Sequence, residues 1–192
     1  MKVKSLNLNF EPFPILESSR LSLRKILPGD ATEFYKMRSD PEVMKYIDKP
    51  MMKSVAEAKA LIKQIEADRL LGNGINWGIT LREENKLIGT IGFWRMDKPN
   101  YRTEVGYMLQ TKHQGKGLVS EALQTVLDFA FNQMHVHSVE ANINPSNDRS
   151  RNLLIKNGFV KEAHILENEY WDGKFFFIVI YSLLKRNFIA SV

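Results

Sequence analysis

The segment richest in chemistry is Gln114-Gly115-Lys116-Gly117-Leu118-Val119. It lies between a stretch that alternates apolar and polar residues and one that repeats with helical period. Glycine lets main-chain amides come close to a ligand. The first four amides of a helix lack an internal partner, and the helix dipole adds partial positive charge there. Loop and helix start together make an anion site suited to a pyrophosphate, with Lys116 adding a screened charge at its rim. The spacing is neither that of a Walker A loop nor that of a Rossmann fingerprint. The alternative is a glycine-rich turn that only connects two elements. Glu104-Val105-Gly106-Tyr107-Met108-Leu109 precedes this segment, and Glu140-Ala141-Asn142-Ile143-Asn144-Pro145-Ser146-Asn147 follows its helix. If these flanking strands part, their exposed amides and carbonyls line a slot. An amide-containing arm can pair there as another strand would.

These residues need elements to hold them. Leu21, Leu23, Lys25 and Leu27 alternate as a half-buried strand does, and Pro28-Gly29 ends it. Asp30 with Glu33, and Ser54 with Glu57, have capping-box spacing and open helices to about Ser39 and Gly72. Asp40-Pro41 stops the first. Residues 75–82 and 86–94 read as a hairpin around Glu83-Glu84-Asn85, and 101–109 as the next strand. A helix follows the glycine loop to about Gln133, with Leu123, Val126, Leu127 and Ala130 on one face. Residues 137–143 form another strand. Asn147 or Asp148 caps a short helix ending at Asn157-Gly158. Strands near 159–167 and 174–184 close the chain, and the Phe175-Phe176-Phe177 run reads as sheet core. The tight turns make the middle strands antiparallel, and the unit from 101 to 143 is a parallel crossover. The result is a mixed α/β (α+β) fold, a mostly antiparallel sheet of about six or seven strands with about four helices on its faces.

Composition narrows the classes. The 192 residues fit one domain, and 44% apolar with 26% charged residues is the balance of a chain that folds around a core. There is no cysteine, which excludes disulfide scaffolds, thiolate metal sites and a cysteine nucleophile. A reducing cytoplasm suits that. The four histidines offer no metal-ligand spacing, so no metal is expected. No stretch approaches the roughly 18–20 apolar residues that span a bilayer, and Met1 to Phe13 lacks the apolar run of a signal peptide. The net charge of +5 is spread without a basic run, which disfavours DNA and suits an anionic small molecule.

Four segments, in order, resemble the GCN5-related N-acetyltransferase (GNAT) superfamily and its RimJ/RimL-type branch. Ser19-Arg20-Leu21-Ser22-Leu23-Arg24 is similar to the branch's opening segment, and Glu104-Val105-Gly106-Tyr107 to its central strand. Gln114 to Val119 is similar to the acyl-CoA signature, with Val119 departing from its final small residue. Asn144-Pro145-Ser146-Asn147-Asp148-Arg149-Ser150, with Gly158-Phe159, is similar to its second signature. The resemblance covers about Leu21 to Leu184 and implies a single acyltransferase domain over 1–192, its core at about 19–186, with a splayed central strand pair. It implies acetyl-CoA as donor and direct transfer to an amine, with no acyl-enzyme. Gln114, Gly115, Lys116, Gly117, Leu118, Val119 and Ser120 would hold the pyrophosphate. Met108 and Leu109, with Asn147 and Asn144, would meet the pantetheine arm.

On that reading Glu104 is the first candidate for general base, through a water, because an amine is mostly protonated near pH 7. The alternative is an ion pair with Arg102 or Lys116. Tyr170, Tyr181 or Ser150 would give the leaving thiolate a proton or a hydrogen bond; the alternative for Ser150 is a capping serine. Amides of strand 105–109 would stabilise the developing oxyanion. Asn142 and Asn144 are candidates to position the acceptor, Asn144 being better explained by a turn. Acceptor-side candidates are Trp77, Phe93, Trp94, Tyr170 and Trp171, with Glu33, Asp40, Glu42 and Asp48 able to attract a cation. The acceptor is a protein or peptide α-amine or a small amine, and the protein a monomer or homodimer. Competing classes are a non-catalytic acyl-CoA-binding module and a nucleotide or nucleic-acid binder.

Overall fold

The computed structural model describes residues 4–189 other than Asp48 and Asp172. Eight strands form one sheet: β1 Leu16–Glu17, β2 Leu21–Lys25, β3 Ile75–Leu81, β4 Gly89–Asp97, β5 Arg102–Leu109, β6 Ser138–Ile143, β7 Val160–Trp171 and β8 Lys174–Leu184. Their order across the sheet is β1-β2-β3-β4-β5-β6-β8-β7. Among the described residues only β5 and β6 pair in parallel, as the helical connection between them requires. The helices are α1 Ala31–Arg38, α2 Pro41–Met44, α3 Val55–Leu70, α4 Leu118–Phe129 and α5 Asp148–Lys156.

The strand count exceeds the expected six or seven because β1, two residues long, adds an edge ahead of the matched opening segment. The extra helix has a local cause. Asp40-Pro41 ends α1 and then starts α2: Pro41 takes the first position, and the Asp40 carboxylate accepts from the Glu42 amide at 2.9 Å. Asp30 does not cap α1. Its carboxylate accepts from the Leu27 amide and pairs with Arg24, closing the 3₁₀ turn before the helix. Ser54 does cap α3, accepting from the Glu57 amide at 3.2 Å.

Alternation along β5 divides the molecule into two layers. Val105 and Leu109 join the larger core with α4, where Leu118, Ala122, Leu123, Val126 and Leu127 repeat at helical spacing and are buried. Trp77 centres this core, edge-on to Phe93 and Phe129 with centroids 6.1 and 5.5 Å away. Met108 points the other way and packs against the smaller core of α1 and α3, with Phe34, Met37, Ile62 and Leu87. Trp77 and Phe93 are therefore core residues, not acceptor contacts.

The β7–β8 hairpin overturns one expectation. β6 pairs with β8 only from Val179 onward, so the hairpin end overhangs the sheet. Phe175 and Phe177 lie there, 58% and 42% exposed, with no helix among the described residues packed over them. The triple-phenylalanine run is not core.

Candidate active site

β5 and β6 are joined at three register positions, Arg102 with Ser138, Thr103 with Val139 and Glu104 with Glu140. Beyond Glu104 and Glu140 they have no further ladder pair, although β5 runs on to Leu109 and β6 to Ile143. The strands part at Glu104. An extended arm of amides fits such a gap, because both facing edges keep main-chain donors and acceptors.

The gap opens toward the start of α4. Gly115 and Gly117 have φ of +75° and +76°, left-handed conformations that cost a side chain strain. A Cβ on Gly115 would meet nothing within 4 Å, and one on Gly117 would only approach Arg20 at 3.6 Å. Gly117 is the N-cap of α4, and its carbonyl takes the first helical bond, from the Glu121 amide. Among the described residues, no amide from 115 to 120 donates within the chain. This cradle of main-chain donors, open where side chains would stand, fits a pyrophosphate.

Side chains around the loop brace it. Arg20 donates to the Lys116 carbonyl at 3.0 Å and pairs with Glu121 at 2.7 Å. Glu121 also accepts from Ser18, Ser19 and the Arg20 amide. Burial alone would raise its pKa; these hydrogen bonds outweigh burial and hold it at about 2. Gln114 donates to the Leu109 carbonyl and accepts from Arg149, so its amide bridges β5 and α5. The Ser120 hydroxyl bonds Asn157. Val119 packs partly buried on the larger core, while its amide stays at the helix start.

The second signature shapes α5. The Asn147 side-chain oxygen accepts from the Ser150 amide at 3.0 Å, which leaves its NH₂ as the group able to meet a ligand. Asn144 accepts from the Ser146 amide, the turn role expected of it before Pro145. Ser150 is not itself the cap. Its hydroxyl accepts from the Tyr107 hydroxyl at 3.2 Å, linking α5 to β5 beside the gap. Burial pushes the Tyr107 phenol up to about 12, so it stays protonated and donates.

Glu104 is 7% exposed at the point where the strands part. Its Oε2 accepts from Asn142 of β6 and from Arg95 of β4, each at 3.0 Å. Burial raises its pKa above the ordinary carboxylate value, and the Arg95 charge with bonds from Trp94, Asn142 and Arg95 offsets part of the rise. Among the described residues neither alternative ion pair forms: Arg102 pairs with Asp97 and Glu140, Lys116 is engaged at its carbonyl by Arg20, and the cation on Glu104 is Arg95. Sequence reasoning missed Arg95. It reaches Glu104 because β4 bulges between Trp94 and Asp97 and Arg95 takes φ +48°, which no residue type there announces.

Tyr170 is not brought to this cluster. It lies at the hairpin end, paired with Phe175, 66% exposed and packed on the Phe175 ring at 5.1 Å. Tyr181 is buried in the larger core. Glu33 binds Lys36 and Gln110, and Asp40 accepts from Thr111, so both serve the scaffold. Asp48 and the Trp171 side chain lie outside the described residues. No group of three or more metal-ligating side chains occurs among the described residues, and no helix among them is long and apolar enough to cross a membrane.

Parted strands, a run of free main-chain amides at a helix start and a buried carboxylate between them suit an acyl-CoA-dependent transferase. Residues 20–160 match the family described as Acetyltransferase (GNAT) domain, and the chain belongs to that family. Uncharacterized N-acetyltransferase p20 of Bacillus licheniformis is 36% identical over 173 residues, 90% of this chain and 97% of that one. The [Ribosomal protein uS5]-alanine N-acetyltransferase of Escherichia coli is 32% identical over 104 residues, 54% of each chain. Spermidine N-acetyltransferase from Vibrio cholerae, solved with CoA and spermine, superposes with a TM-score of 0.78 at 21% identity, covering 88% of this chain and 98% of that one. The protein is an acyltransferase whose donor is acetyl-CoA and whose acceptor is an amine.

Proposed function

We propose that the protein acetylates the α-amine at the N-terminus of a protein or peptide by direct transfer, as a monomer or homodimer in the cytoplasm. The observation that carries the transfer reading is Glu104, a buried carboxylate placed where β5 and β6 separate and bonded across the gap by Asn142. The pyrophosphate lies on the amides of Gly115 to Ser120, and the pantetheine arm along Met108 and Leu109 with the Asn147 NH₂ beside it. Glu104 takes the ammonium proton, through a water. The freed nitrogen forms its bond to the thioester carbon, the carbon–sulfur bond breaks with its electron pair leaving on sulfur, and the second proton that the nitrogen sheds ends on that sulfur.

Ser150 gives the thiolate a proton or a hydrogen bond. Tyr107 donates to its oxygen, so the Ser150 hydrogen is left for another acceptor. Tyr170 is set aside, because it stands on the overhanging hairpin.

The test is mass identification of acetylated products from a panel of amines, with Glu104→Gln alongside. Expected are product on peptide α-amines and a rate about 10²–10⁴-fold lower in Glu104→Gln with acetyl-CoA affinity held, the range of a lost general base. An unchanged rate removes Glu104 from the chemistry.

A further inference from the structure

Glu121 stands in the first turn of α4, beside the amides that the proposed function gives to the pyrophosphate. An acid there suits the helix dipole but repels a bound diphosphate. Its bonds show what it does instead. Oε1 accepts from the Ser18 and Ser19 hydroxyls at 2.7 and 2.9 Å and from the Arg20 amide at 2.7 Å. Oε2 accepts from Arg20 Nε and Nη2, each at 2.7 Å. One carboxylate thus holds both the main chain at residues 18–20 and the Arg20 guanidinium.

A guanidinium has five N–H groups in a planar fork. Nε and Nη2 each give one to Glu121, and Nη1 gives one to the Lys116 carbonyl at 3.0 Å. Among the described residues the remaining two, one on each Nη, have no acceptor. The Arg20 side chain is 50% exposed and that of Glu121 only 16%, so the carboxylate lies behind the fork and the fork's free edge lies outward. A Cβ on Gly117 would meet Arg20 Nη2 at 3.6 Å and nothing else within 4 Å. The free edge therefore borders the same open space as the amides at the helix start.

We infer that Arg20 binds the diphosphate of acetyl-CoA, its two free N–H groups reaching phosphate oxygens at the edge of the amide cradle, and that Glu121 is a positioning residue that aims the guanidinium without touching the ligand. The inference rests on the reading that places the pyrophosphate on the amides of Gly115 to Ser120. Those amides offer only partial charges, and Arg20 adds a full one. A fork with two donors spans neighbouring phosphate oxygens, whereas the ammonium of Lys116 is a point charge on a flexible stem. Glu121 does not oppose the ligand while the arginine neutralises it.

The experiment measures acetyl-CoA affinity by calorimetry at several salt concentrations, and KM and kcat, for wild type, Arg20→Gln, Arg20→Lys, Arg20→Gln with Glu121→Gln, and Gly117→Val. Arg20→Gln should weaken binding about tenfold to a hundredfold, the range of a lost charge-assisted hydrogen bond, and the loss should appear in KM for acetyl-CoA rather than in kcat. Its affinity should also depend less steeply on salt than that of wild type, which a merely structural defect would not produce. Arg20→Lys, which keeps the charge and loses the fork, should fall between the two. The double variant should stay weak, because the contact is gone whether or not Glu121 is charged. Acetyl-dephospho-CoA, which keeps the diphosphate and lacks the 3′-phosphate, should show the same fold loss. Unchanged affinity in Arg20→Gln, wild-type affinity in the double variant, or a loss confined to the donor with the 3′-phosphate overturns the contact. If Gly117→Val is weak in that case, the cradle stands without Arg20; if Gly117→Val also binds as wild type does, the placement of the pyrophosphate falls with it. Should Arg20→Gln not fold, the Arg20 side-chain N–H resonances of wild type should shift on titration with CoA and not with pantetheine; no shift with CoA overturns the contact.

Discussion

On the α4 side of the sheet the site is made of main chain, while on the α1–α3 side it is made of side chains. The half proposed to take the donor presents amides of residues 115–120 at a helix start, held by Arg20–Glu121 and Gln114–Arg149 bonds. The other half presents Glu104, Asn142, Trp94 and Arg95 from three strands, Arg95 brought in by the β4 bulge. On the proposed reading, main-chain groups recognise what every acetyl-CoA molecule shares. Side chains recognise what differs between amines, so a family can keep the first half and vary the second.

The contrast breaks most sharply at Gly117. Valine there must adopt φ +76°, which costs about 1–2 kcal/mol, and it places a branched side chain in the cradle. Gly117→Val should weaken acetyl-CoA binding about a hundredfold by calorimetry, the effect of about 2.7 kcal/mol. Unchanged affinity would place the pyrophosphate elsewhere.

The next effect is on stability. Glu121 is held at about 2 against an ordinary value of 4.5. A depressed folded-state pKa contributes stability fully present above 4.5 and lost as pH falls through about 2. That shift amounts to roughly 3 kcal/mol. Glu66, also lowered to about 2 by Arg69, titrates in the same window, so the readout is the difference between proteins. Chemical denaturation of wild type and Glu121→Gln should differ most near pH 7 and converge near pH 2. Parallel curves would mean that Glu121 does not carry this acid sensitivity.

A smaller effect sharpens the other half. The Arg95 charge opposes the rise that burial imposes on Glu104. Arg95→Met removes that opposition, so the acid limb of kcat/KM should move to higher pH while acetyl-CoA affinity stays level. A limb that stays put would separate Arg95 from the base.

The two halves were also unequally legible in the sequence. Main-chain chemistry needs glycine, and glycine is visible: Gly115 and Gly117 marked the loop, and the strands flanking α4 marked the gap. The other half depends on where side chains point after a bulge. Arg95 in the left-handed region resembles any strand arginine, and the bond from Tyr107 to Ser150 joins residues 43 positions apart that only the fold brings together. Asp30 with Glu33 marked the right helix for the wrong reason, since Asp30 closes the preceding turn.

The smallest predicted effect concerns what apolar runs cannot say. A continuous apolar strand reads the same whether a helix covers it or not, and the register beyond Val179 decides that Phe175 is uncovered. Phe93, fully buried beside Trp77, should cost about 3–5 kcal/mol when cut to alanine. Phe175, 58% exposed, meets the Tyr170 ring, a contact of about 0.5–1.5 kcal/mol at most. Phe175→Ala should therefore cost about 1 kcal/mol or less in denaturant and leave acetyl-CoA binding unchanged. A loss as large as that of Phe93→Ala would show the hairpin packed against something in solution, and its overhang would then be a covered surface.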